Sequence, residues 1–144
     1  MLYVCDAPDR TVWFRIETES EAFFESLSTQ GAVAVFFGAE HSRAISSYRP
    51  HPGLPFIERD IGLEAHIQRK MPLFLTLRDR EGTVLATAIL PPGGKENAGY
   101  PVFVWGAAGV DPYESHAKAL EILEKRFGVA ICDRIDDYQA YCLA

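Results

Sequence analysis

His41, Ser42 and Arg43 are consecutive, and Tyr48, Arg49 and His51 follow closely, so one short stretch gathers imidazole, hydroxyl, phenol and guanidinium groups. Two kinds of chemistry use such residues. A histidine beside a serine could begin a nucleophile–base arrangement, and His51 could reach the same place. A base, however, needs a placed nucleophile and an orienting acid, and no spacing in the chain identifies them. Guanidinium groups hold carboxylates and phosphates through paired hydrogen bonds. Arg43 and Arg49, with His41, Ser42, Tyr48 and His51 around them, are therefore the candidate residues for binding an anionic ligand or an acidic partner without catalysis.

The charge distribution supports that choice. From His41 to Arg80 there are seven Lys or Arg against four Asp or Glu, a local surplus of three within a chain whose net charge is −6. Such a basic island on an acidic protein draws anions. The overall acidity, with no basic residues alternating with aromatics, argues against a nucleic-acid partner.

Other chemistry finds less support. The three cysteines, Cys5, Cys132 and Cys142, form no C-x-x-C pair, and an odd number does not build a disulfide framework. H-x-x-x-H is also absent, so no metal and no cofactor is expected. Adjacent Asp136 and Asp137 are expected to face water, and His116 to pack beside an apolar stripe. The opening MLYVCDAPDR lacks the basic and apolar regions of a secretory signal. Apolar runs near 31–39 and 100–110 fall far short of the roughly 20 residues that cross a membrane. A soluble, cytoplasmic protein with no membrane partner is the expectation.

The secondary structure that carries this stretch can be read in part from the sequence. MLYVC at 1–5 and TVWFRIE at 11–17 read as a hairpin. Thr18 with Glu21 forms a capping box that opens a helix over 18–30, with Phe23, Phe24 and Leu27 on its apolar side. AVAVFF at 32–37 reads as a buried strand. The Pro-rich 38–56 segment reads as a long surface loop, of the kind that often carries function. IERDIGLEAHIQRK at 57–70 reads as a helix burying Ile57, Ile61 and Ala65, although Gly62 weakens it. LFLTL at 73–77 and TVLATAIL at 83–90 make a second hairpin, and 91–101 is a loop.

The clearest unit comes last. VFVW at 102–105 is a strand, and Asp111, Pro112 and Glu114 supply the cap, first residue and acidic partner of a helix over 111–127. Tyr113, Ala117, Leu120, Leu123 and Phe127 form its apolar stripe. Glu114 with Lys118, and Glu121 with Lys125, are Glu-before-Lys pairs on the solvated side. Gly128 stops the helix, and VAIC at 129–132 reads as a strand parallel to 102–105. The succession of hairpin, capped helix and strand occurs at 1–38 and again at 72–134, an echo consistent with a duplicated ββαβ unit. These elements predict a single α+β domain over 1–144, with a mostly antiparallel mixed sheet and two main helices packed on it.

The hairpin at 73–90, the strand at 102–105, the turn and the helix together resemble the central part of an acetyl-CoA-dependent N-acetyltransferase. That family carries R/Q-x-x-G-x-G/A at the turn. This chain has Trp105-Gly-Ala-Ala-Gly109-Val110-Asp111 there, without the long polar residue or the spacing that clasps pyrophosphate, and Asp111 and Glu114 would repel an anion. A coenzyme A-dependent acyltransferase is therefore the alternative. The leading expectation is a noncatalytic binding or regulatory protein, chaperone-, inhibitor- or adaptor-like, with a protein partner or a small anionic ligand, and a homodimer is compatible with it.

Overall fold

A computed structural model describes residues 1–29, 32–95 and 102–131. The fold is α+β: among the described residues, five short apolar-rich stretches, the central ones buried on both faces, make one open sheet of β1 (Leu2–Ala7), β2 (Thr11–Arg15), β3 (Leu73–Arg78), β4 (Val84–Leu90) and β5 (Phe103–Gly106). Every pairing is antiparallel, and the strands lie side by side in chain order. Between β2 and β3 come α1 (Glu19–Ser28), α2 (Ala32–Ser46) and α3 (Phe56–Lys70); after β5 come α4 (Pro112–Ser115) and α5 (Ala117–Phe127).

Side chains on successive strand residues point to opposite faces, so the central strands sort their residues between two cores. Leu73, Leu75 and Leu77 of β3, Ala86, Ala88 and Leu90 of β4 and Val104 of β5 share a core with Trp13, Leu120 and Leu123. Phe74, Ile89 and Phe103 point the other way and pack with Ile16, Val33, Phe37, Ala44 and Ile67. Helix α5 covers the first face, while α1, α2 and α3 serve the second.

The turns follow their local chemistry. Thr18 accepts a hydrogen bond from the Glu21 N–H at 3.2 Å, and the Glu21 carboxylate accepts from the Thr18 N–H at 3.1 Å, closing the expected capping box. Burial pushes the Glu21 carboxyl pKa up, but hydrogen bonds from the terminal ammonium and the Glu17 and Thr18 N–H groups outweigh it and leave it lowered. A lowered carboxyl stabilises the fold above its unfolded-state pKa and loses that contribution as pH falls through the folded value. Acidification should therefore lower the thermal midpoint of the parent more than that of Glu21→Gln; parallel midpoint-against-pH curves would refute this.

Several expectations are corrected. AVAVFF is not a strand but the start of α2, whose inward stripe is Val33, Phe37, Glu40 and Ala44 at spacings of four, three and four. A continuous apolar run does not distinguish a strand from a buried helix, and the stripe emerges only when the supposed loop beyond it is included. The loop accordingly shrinks to 47–55. Helices α1 and α3 are turned about their axes relative to expectation. Phe23, Phe24 and Leu27 are 56%, 65% and 68% exposed, while Ala22, Glu25 and Ser26 face inward. Ile57 and Ile61 are 74% and 65% exposed, Ala65 is also exposed, and α3 instead buries His66 and Ile67.

The helix expected over 111–127 breaks at His116 into α4 and α5. Leu120 and Leu123 are buried as expected, Tyr113 and Phe127 pack half-buried against the same core, and Ala117 is exposed. Gly128 takes the left-handed conformation, with φ of 71°. Glu121 and Lys125 pair at 3.7 Å. Val129 and Ile131 are buried but carry no strand, so no parallel pair occurs among the described residues. The ββαβ echo thus lacks its last strand at 32–37 and has none over 129–131. Gly31, part of the 91–101 loop, Cys132, Cys142, Asp136 and Asp137 lie outside the described residues. Cys5 is half-buried beside the core, and burial raises its thiol pKa.

Candidate functional site

The chain leaves β2 at Arg15, crosses Ile16 and Glu17, and is caught by the Thr18 cap at the start of α1. Helices α2 and α3 then lean over this corner. Together they enclose a cleft of about 340 Å³, whose inner wall is Ile16, Phe37, Ile67 and Met71 and whose polar lining includes Arg15, Glu17, Glu19, His41, Glu64 and Gln68.

Arg15 is its most informative residue. Its guanidinium is half-buried, and removal from water lowers its pKa, with Glu17 pulling in the opposite direction. Among the described residues it makes no hydrogen bond through its side chain and no ion pair. A buried cation is ordinarily paired, because lost hydration otherwise goes uncompensated. His41 reaches the same cleft from α2; its ring stacks on Phe37 at 6.2 Å between centroids, and its Nδ1 lies 3.5 Å from Glu19 Oε1. The Thr18 hydroxyl is already occupied in the capping box.

The other candidate residues do not join His41. Arg43 pairs with Glu40 at 2.8 Å. Glu40 is 3% exposed, and burial raises its carboxyl pKa while Arg43 opposes the rise. Arg43, Ser47 and Lys70 line a separate, smaller cleft of about 190 Å³. Ser42 is exposed on α2. Arg49 folds back onto the backbone, donating to the Ser46 carbonyl at 2.7 Å and the Tyr48 carbonyl at 2.9 Å. The Tyr48 hydroxyl donates to the Arg59 carbonyl at 3.2 Å and fills the space a side chain at Gly62 would need. That packing accounts for a glycine inside α3. His51 is exposed and accepts from the Gly53 N–H at 3.2 Å.

A serine and a histidine do meet, but not the adjacent pair. Ser47 Oγ lies 2.7 Å from His66 Nε2, and the same hydroxyl is 2.9 Å from the Ala44 carbonyl, which has no proton of its own and accepts that of Ser47. The hydroxyl then accepts from His66 Nε2–H, the reverse of what a general base requires, and no acid holds Nδ1 among the described residues. The pair ties the end of α2 to α3.

The remaining hollows differ in chemistry. A wider depression of about 550 Å³ is rimmed by Asp9, Asp79, Glu114 and His116. Asp79 is occupied by the Glu81 and Thr83 N–H groups, and burial lowers the His116 pKa. At the turn after β5, the Val110 N–H donates to the Ala107 carbonyl and the Tyr113 N–H to Asp111, so donors that could meet a phosphate are used internally. Among the described residues no group of three or more His, Cys, Asp or Glu could hold a metal ion, and no helix is long and apolar enough to cross a membrane.

Arg15, Glu64 and Gln68 escaped the search of the sequence. Arg15 lies within a strand pattern, where one basic residue signals nothing until its burial is known. No protein-family model, curated protein or solved structure matches the chain.

Proposed function

We propose that the chain is a noncatalytic binding protein that holds a small carboxylate-bearing ligand in the cleft between β2, α1, α2 and α3, with Arg15 as its anchor. One observation carries this: a half-buried guanidinium, lining a cleft, with no side-chain hydrogen bond or ion pair among the described residues and only the nearby charge of Glu17 to offset its burial. A ligand carboxylate would supply two charge-assisted hydrogen bonds where water has been withdrawn. The expected anion site thereby moves from Arg43 and Arg49, which are engaged by Glu40 and by backbone carbonyls, to Arg15, and keeps His41. The small apolar wall favours a metabolite-sized ligand over an extended acidic partner.

Screening by calorimetry against carboxylate metabolites should find one that binds. Arg15→Met is expected to weaken it about 10- to 100-fold, as loss of a charge-assisted hydrogen bond of about 1.5–3 kcal/mol implies. Arg15→Lys should restore little of this, and Arg49→Ala should leave binding unchanged. Unfolding midpoints of the variants distinguish a lost contact from a lost fold. Binding indifferent to Arg15→Met would overturn the proposal, and saturable consumption of acetyl-CoA would put the acyltransferase alternative in its place.

A further inference from the structure

We infer that the ligand of this cleft is a zwitterion, specifically an α-amino acid with an apolar side chain; this rests on the carboxylate reading of Arg15 and adds a second point of attachment. A simple anion fits the lining poorly. Glu17, Glu19 and Glu64 all border the cleft, so an anion held by Arg15 shares it with three carboxylates. Glu19 has His41 beside it at 3.5 Å. Glu64 has no ion pair or side-chain hydrogen bond among the described residues.

Arg15 and Glu64 therefore line one cleft from opposite elements, β2 and α3, with opposite charges and no ion pair between them. Two opposite charges that border the same space without meeting leave a gap that a molecule carrying both complementary charges can bridge. The carboxylate goes to the Arg15 guanidinium and the ammonium to the Glu64 carboxylate. The contact at the half-buried Arg15 repays lost hydration, the one at the exposed Glu64 adds charge complementarity, and the charges of cleft and ligand cancel pairwise. In the same cleft, Phe37, Ile67 and Met71 are 2%, 7% and 5% exposed and make an apolar wall against which a hydrocarbon side chain loses water. The volume of about 340 Å³ sits at the lower end of the range for ligand pockets, as a single amino acid requires.

The test compares L-leucine and L-phenylalanine with 4-methylpentanoate and 3-phenylpropanoate, which lack the ammonium, and with isopentylamine and phenethylamine, which lack the carboxylate. Calorimetry on the full chain should show each amino acid binding roughly tenfold more tightly than its deaminated acid. Glu64→Gln should erase that advantage while leaving affinity for the deaminated acids unchanged or higher. Arg15→Met should weaken both. If the deaminated acids bind as tightly as the amino acids and still depend on Arg15, the zwitterion is wrong and the carboxylate reading stands. If the amines bind as well as the amino acids and Arg15→Met has no effect, both are wrong. Absence of measurable binding by both amino acids at millimolar concentration also overturns the inference.

Discussion

Glu25→Ala is expected to lower the free energy of unfolding by about 3–5 kcal/mol, the usual cost of removing one partner from a buried ion pair. Glu25 is fully buried on the inner side of α1, where it pairs with Arg78 at 2.8 Å and accepts a hydrogen bond from the Thr87 hydroxyl. Arg78 is held further by Thr76 Oγ1 at 2.9 Å and the Gly82 carbonyl at 3.1 Å. Thr76 and Thr87 are fully buried, so this corner of the sheet is polar and depends on Glu25. Deleting the carboxylate strands a guanidinium and a hydroxyl beneath α1. Replacing both charged partners, Glu25→Leu with Arg78→Met, should recover only part of the loss, because no charge is left unpaired but the buried Thr87 hydroxyl still lacks its acceptor and Thr76 loses its donor. Chemical denaturation with equal slopes would measure both. A loss below about 1 kcal/mol for Glu25→Ala would mean that the pair behaves as an exposed one.

The same pair explains why the rotation of α1 was not legible in its apolar residues. Phe23, Phe24 and Leu27 suggest one inner face, but the sheet beneath α1 offers Arg78, which holds Thr76, and Thr87, and Glu25 is the residue that answers Arg78 and Thr87. Ala22, Ser26 and Thr29 follow Glu25 inward because they share its side of the helix. The winning interaction joins positions 53 and 62 residues away, which local periodicity does not register. In α3 the choice of Leu63, His66 and Ile67 over Ile57 and Ile61 is likewise made by what the chain just after α2 presents: Ser47 meets His66, and Tyr48 packs on Gly62.

What was legible was local. Both hairpins, the capping box at Thr18, the Asp111 cap and the Gly128 stop depend on residues within a few positions of one another. The candidate site was legible only at His41, because a half-buried Arg15 is indistinguishable in sequence from any basic residue at the end of a strand. Arg43 and Arg49 drew attention as cations in a basic island. Their charges are answered, for Arg43, by Glu40 one helical turn away and, for Arg49, by the carbonyls of Ser46 at the end of α2 and Tyr48 just beyond it, contacts that depend on 38–46 being helical.

Leu120→Ala should cost about 2–5 kcal/mol, while Lys118→Ala should stay within about 0.5 kcal/mol, although the two residues are one turn or less apart on α5. Leu120 is fully buried, and Lys118 is exposed. The core beneath Leu120 includes Leu75, Leu77, Ala86 and Ala88, whose own surroundings are filled from the same face of the sheet. A cavity there has few ways to collapse, because Trp13 is pinned by its Nε1–H donating to the Ala119 carbonyl at 3.0 Å. That bond fixes the height of α5 over β2, so the helix does not settle readily into the space that the leucine leaves. Leu120→Ala is therefore expected near the upper end of its range, and pairing it with Trp13→Phe, which releases the helix, should give a loss smaller than the sum of the two single losses. Equal denaturation midpoints for Leu120→Ala and Lys118→Ala would mean that α5 meets the sheet through a different face; strictly additive losses in the double variant would mean that the indole hydrogen bond does not restrain it.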